Sequence, residues 1–85
     1  MNFQTRMKYV KIILLDLQTQ PSRWTEIEKR MIVLSGSHSK FTSTMRWLID
    51  NEYIIKMGQK GSRKPYRINS NKVMFNDNEL VIITI

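Results

Sequence analysis

Apolar residues near the start of the chain keep to one side of a helix. Phe3, Met7, Val10, Ile13 with Leu14, and Leu17 follow one another at i, i+4, i+7, i+10 and i+14. Ile12 and Leu15 widen this stripe, so the spacing predicts a helix over 3–19 that is buried on more than half its circumference. Gln20-Pro21 ends it, because the residue before a proline is pushed out of the helical region. Thr25-x-x-Glu28 reads as a capping box opening a second helix over 25–34, with Ile27, Met31 and Leu34 on one face and Val33 beside them. Leu34-Ser35-Gly36-Ser37 is a turn in which Gly36 supplies backbone freedom. Ser37 is the expected N-cap of a third helix over 37–51, with Ser39 the fallback, and Phe41, Met45, Leu48 and Ile49 form its apolar stripe. The pattern then turns extended. Residues 53–57 and 65–69 are apolar, aromatic or β-branched runs joined by a Gly-containing loop, the signature of a hairpin. Two further runs, 72–75 and 79–85, flank the turn signal Asn76-Asp77-Asn78. The β-branched tail from Leu80 to Ile85 needs a partner strand, and three are open to it: the first hairpin, residues 72–75, or a second copy of the chain.

At 85 residues, the chain is expected to be one α+β domain over 1–85 with a single modest core. Charge adds more. Lys and Arg number 14 against 7 Asp and Glu, a formal net charge of +7, which points to a polyanionic partner. Placement sharpens this: between Tyr53 and Lys72 stand six cations (Lys56, Lys60, Arg63, Lys64, Arg67, Lys72) and no acid. Cysteine is absent, which removes disulfides, thiolate zinc sites and cysteine nucleophiles and fits an intracellular setting. The apolar run 10–17 contains Lys11 and Asp16, is too short to span a bilayer, and precedes no small-residue cleavage site.

The third helix and the hairpin carry the candidate chemistry. Outside its apolar stripe the helix presents Ser39, Lys40, Thr42, Ser43 and Arg46, small hydroxyls and two cations. Such a face can approach a groove floor closely, and Arg46 or Lys40 can donate to guanine O6 and N7. Ser39, Thr42, Ser43 and Thr44 are weak helix formers, so their use in one helix implies a purpose other than stability.

A leucine, a short turn, then Ser37-His38-Ser39-Lys40-Phe41, followed by a basic hairpin, resembles the winged helix-turn-helix family of DNA-binding domains over roughly residues 3–69. The resemblance implies a recognition helix in the major groove and a basic wing on the phosphates or in the minor groove. DNA contacts would come from Ser37, His38, Ser39, Lys40, Thr42, Ser43 and Arg46 on the helix, and from Lys60, Ser62, Arg63 and Lys64 in the wing loop. It also implies a very short strand before the second helix, where Arg23 and Trp24 stand, and a left-handed C-cap at Asn51-Glu52 in place of the family's frequent glycine. Many members dimerise through elements outside the motif, and residues 72–85 are the candidate, alongside a fold back onto their own domain.

Of the remaining residues, Trp24 is expected to lid the core and Trp47 to pack rather than lie on DNA. Arg6, Lys8 and Lys11 are assigned to a solvated face. His38 has no Asp, Glu or Cys at ligand spacing, and no catalytic constellation can be assembled. The resulting expectation is a sequence-specific double-stranded DNA-binding protein, a small cytoplasmic or nucleoid-associated transcriptional regulator. It would have no enzymatic activity, cofactor, metal, membrane partner or evident small-molecule ligand, and a homodimer through the C-terminal strand is open. Two alternatives stand beside it. One is a winged-helix module for protein–protein assembly; the other is a replication, RNA or left-handed-duplex binder, and against the last stand Ser43 and Trp47, which occupy the positions where left-handed-duplex readers carry an asparagine and a tyrosine.

Overall fold

The computed structural model describes residues 2–35, 37–58, 65–76 and 79–82. It is a small α+β domain with three helices: α1 (Phe3–Thr19), α2 (Trp24–Ser35) and α3 (His38–Asp50). Two antiparallel hairpins follow, β1 (Ile54–Lys56) with β2 (Tyr66–Ile68) and β3 (Val73–Asn76) with β4 (Glu79–Ile82). This layout is compatible with a winged helix. Of the pairings open to the tail, the chain uses its own residues 73–76, with Val73 opposite Ile82 and Phe75 opposite Leu80. Residues 83–85, and Asp77-Asn78 of the expected turn, lie outside the described residues.

The core is where the three helices meet. Val10, Ile13, Leu14, Phe41, Met45 and Leu48 are fully buried, and Ile27, Met31, Ile54 and Val73 nearly so. Trp24 closes one end, edge-on to Phe41 with ring centroids 5.6 Å apart and 6.4 Å from Tyr66. Phe3, the first residue of the expected stripe, is outside it at 74% exposed, and so is Val33, beside the α2 face, at 86%. The seam on α1 begins a turn later than the stripe suggested, and it includes Tyr9, which the stripe omitted.

The short strand before α2 is one residue long and sits at Ser22 rather than at Arg23-Trp24. Its N–H donates to the Tyr66 carbonyl at 3.1 Å and its carbonyl accepts from the Tyr66 N–H at 2.8 Å. This bridge joins the α1–α2 connection to β2. The Ser22 side chain is buried and accepts from Arg30 Nη2 at 2.7 Å, while Arg30 also grips Asp16 through Nε at 2.6 Å and Nη2 at 2.9 Å. The paired carboxylate raises the Arg30 pKa further above its ordinary value.

The α2 cap also differs from its expected register. The helix starts at Trp24, so Glu26 is the third helical residue, and its carboxylate accepts from the Arg23 backbone N–H at 2.9 Å. Glu28, the expected box partner, is free of that duty and faces His38 of α3.

Helix α3 ends in a Schellman motif: the Glu52 N–H donates to the Ile49 carbonyl and the Tyr53 N–H to the Leu48 carbonyl. The left-handed residue is Glu52, at φ 60°, whereas Asn51 stays at φ −92°. The first hairpin is latched to this helix end by Asn69. Its N–H donates to the Tyr53 carbonyl, and its buried side-chain amide donates to the Glu52 carbonyl at 2.8 Å.

Candidate nucleic-acid interface

Ser37 caps α3 from an extended backbone, its hydroxyl accepting from the Lys40 N–H at 3.3 Å. With the start fixed there, the buried residues Phe41, Thr44, Met45 and Leu48 define the inward side. Helical spacing then puts Ser39, Ser43, Arg46 and Asp50 on the opposite side, and all four are exposed. Asp50 is a carboxylate, unfavourable beside phosphate, so the part of this face suited to nucleic acid runs from Ser39 to Arg46.

The candidate residues on this helix divide by what already holds them. Arg46 and Ser39 make no side-chain hydrogen bond or ion pair among the described residues, so both are available to a ligand. Ser43 is engaged: Arg6 of α1 donates from Nη2 to its hydroxyl at 3.0 Å and from Nη1 to its carbonyl at 3.1 Å. His38 lies on the edge, its Nδ1 3.2 Å from the Glu28 carboxylate, which ties the start of α3 to α2. Thr42 is half-buried on the same edge, and Ser37 is spent as the cap. Thr44 is the correction among the hydroxyls. It is fully buried, and its Oγ1 has no hydrogen-bond partner among the described residues, so it faces the core rather than a groove.

The flank of α3 nearest α1 carries further cations. Lys40 Nζ lies 6.0 Å from the centre of the Tyr9 ring, and Arg6 Cζ lies 5.7 Å from that of Trp47. Trp47 itself is half-buried and stacks at a tilt on Tyr53, centroids 5.2 Å apart. Lys72 Nζ lies 5.8 Å from the Tyr53 ring and donates to the Asn51 carbonyl at 3.0 Å.

Comparison with protein-family models, curated proteins and solved structures returns no match.

Arg6, expected on the solvated face with Lys8 and Lys11, is instead part of the α1–α3 contact. The helical repeat separates them: Arg6, Val10, Ile13 and Leu17 share a side, while Lys8 and Lys11 are exposed on another. The expected wing residues Lys60, Ser62, Arg63 and Lys64, with Gly36 of the turn, lie outside the described residues. On the hairpin that is described, Lys56 and Arg67 are exposed.

Away from α3, α1 and α2 enclose an apolar cleft of about 320 Å³ lined by Ile12, Ile13, Leu15, Ile27 and Met31. Its two charged lining groups, Asp16 and Arg30, are paired with each other. Among the described residues, no three His, Asp or Glu side chains stand where they would hold a metal ion, and no helix is long and apolar enough to cross a membrane.

Proposed function

We propose that this protein binds double-stranded DNA as a winged helix-turn-helix domain, with α3 in the major groove and the basic hairpin loop on the backbone or in the minor groove. The observation that carries the reading is the outward face of α3. It is built from short hydroxyls around an exposed Arg46 that has no partner among the described residues. An arginine so placed can donate bidentately to guanine, and the small neighbours let the helix reach the groove floor. The Asn69 latch supports it further by holding the hairpin against the end of that helix, while the Ser22–Tyr66 bridge ties β2 to the α1–α2 connection. Within this proposal the domain serves sequence-specific regulation of transcription. Assembly with another protein through the same face is the second reading, favoured only by the half-buried Trp47–Tyr53 pair beside it.

The test is binding to random-sequence duplex over a salt series. We expect a log–log slope equivalent to roughly 4–8 neutralised phosphates. Selection for a preferred sequence should follow, with Arg46→Ala relaxing discrimination at one base pair by roughly 1–3 kcal/mol. Absence of binding at low salt refutes the proposal and directs attention to a protein partner.

A further inference from the structure

Three cations on three different elements share one local environment. Lys40 of α3, Arg6 of α1 and Lys72 of the turn before β3 each sit about 6 Å from the centre of an aromatic ring, Tyr9, Trp47 and Tyr53 respectively. They are also ordered along α3. Lys40 is in its first turn, Arg6 is bonded to Ser43 in its middle, and Lys72 is bonded to Asn51 at its C-cap. From Lys40 to Asn51 is eleven residues, or ~16 Å of helix axis.

We infer that Lys40, Arg6 and Lys72 form a rail that takes the sugar–phosphate backbone of one DNA strand while the Ser39–Arg46 face meets the bases. The inference rests on the duplex-binding reading, adds Arg6 and Lys72 to its contacts, and gives Lys40 a phosphate rather than a base as its partner. Two features argue for a ligand in addition to internal stability. A free lysine or arginine loses rotamer entropy when it binds phosphate, and a cation resting on a ring has already lost part of it. The charges are also mostly unspent. Arg6 uses two of its five N–H donors on Ser43; among the described residues, Lys40 meets no carboxylate within ion-pair distance, and of the three only Lys72 has one, Glu52 at 4.0 Å. Lys8 and Lys11 have the same charge on the same helix as Arg6, but they face away from α3.

That contrast supplies the experiment. The salt dependence of binding to a fixed random-sequence duplex is measured for the intact chain, for Arg6→Gln, Lys40→Gln and Lys72→Gln singly, and for Lys8→Gln/Lys11→Gln together. Each rail variant should lose affinity for every duplex and flatten the slope by about 0.9, one phosphate's worth. The double control, although it removes twice the charge, should leave the slope unchanged. Thermal melts establish that each variant is folded, and three single variants on three elements keep the test alive if one is not. If the intact chain shows a steep slope and the rail variants match it, or the control flattens it as much as they do, the rail is refuted while the duplex reading stands. A flat slope for the intact chain overturns both.

Discussion

Thr44 offers a prediction in which binding plays no part. Its side chain is fully buried on the inward face of α3, and its hydroxyl has no partner among the described residues. A hydroxyl taken from water without a replacement bond costs roughly 1–3 kcal/mol in folded proteins. Valine has nearly the same shape and nearly the same helix propensity, so Thr44→Val removes that cost without opening a cavity or disturbing the helix. The expected gain is about 1.5 kcal/mol. In a domain of this size, each kcal/mol moves the melting temperature by roughly 4–8 °C, so Tm should rise by about 6–12 °C. Circular dichroism melts, with urea titrations to check that the m-value is constant, measure this directly. Thr44→Ser is the companion. It keeps the unpaired hydroxyl and deletes a buried methyl, and should lower stability by about 1 kcal/mol. Since Thr44 faces inward, neither change should alter duplex affinity well below the melt. If Thr44→Val is neutral or destabilising, the hydroxyl is paired in solution and the argument fails.

Two further predictions follow from the framework. Glu52 holds a left-handed conformation at φ 60°, which costs a residue with a Cβ roughly 1–2 kcal/mol; glycine avoids this but gives back about 0.5–1 kcal/mol of chain entropy. Glu52→Gly should therefore raise stability by about 0.5–1 kcal/mol in the same melts, and a lower Tm would count against the Schellman assignment. It also removes the acid beside Lys72, so duplex affinity should increase. The Arg30–Asp16 pair has ideal two-point geometry but is partly exposed, with side-chain exposures of 43% and 22%. A double-mutant cycle with Asp16→Asn and Arg30→Gln should yield a coupling near 1 kcal/mol after allowance for solvent screening, shrinking in high salt. A salt-independent coupling would show that the pair acts through packing on Ser22 instead of charge.

How much of this was legible in the chain depends on the range of the interaction. The three helices, the Ser37 cap and the first hairpin are written in local periodicity, and they appear within a residue or two of where the pattern puts them. The α2 start is ambiguous in sequence because Thr25-x-x-Glu28 and Arg23-x-x-Glu26 offer the same glutamate spacing. A hydroxyl at the first position favoured the former, but Ser22 pairs with Tyr66 and so fixes where the helix can begin. Phe3 fits its stripe but is exposed, since spacing gives a direction and only a packed neighbour gives burial, while Val33 lies beside its stripe and is exposed as well. The αL position went to Glu52 because the hydrogen bonds to Leu48 and Ile49 set the register of the turn, overriding the greater tolerance of Asn51.

The candidate site shows the same division more sharply. That Ser39 and Arg46 lie on one outward face follows from 3.6 residues per turn and needs nothing but the sequence. That Ser43 is already bonded, and that its partner is Arg6, requires knowing how α1 crosses α3. Yet one local signal existed. Arg6 falls on the same side as Val10, Ile13 and Leu17, and an arginine on a buried stripe must either find acceptors or lie at the stripe's open end. Here it does both, reaching Ser43 and Trp47 from the first turns of α1. A cation aligned with a core stripe is thus better read as an inter-helix contact than as surface charge. Lys8 and Lys11, off the stripe, are the ordinary solvated case.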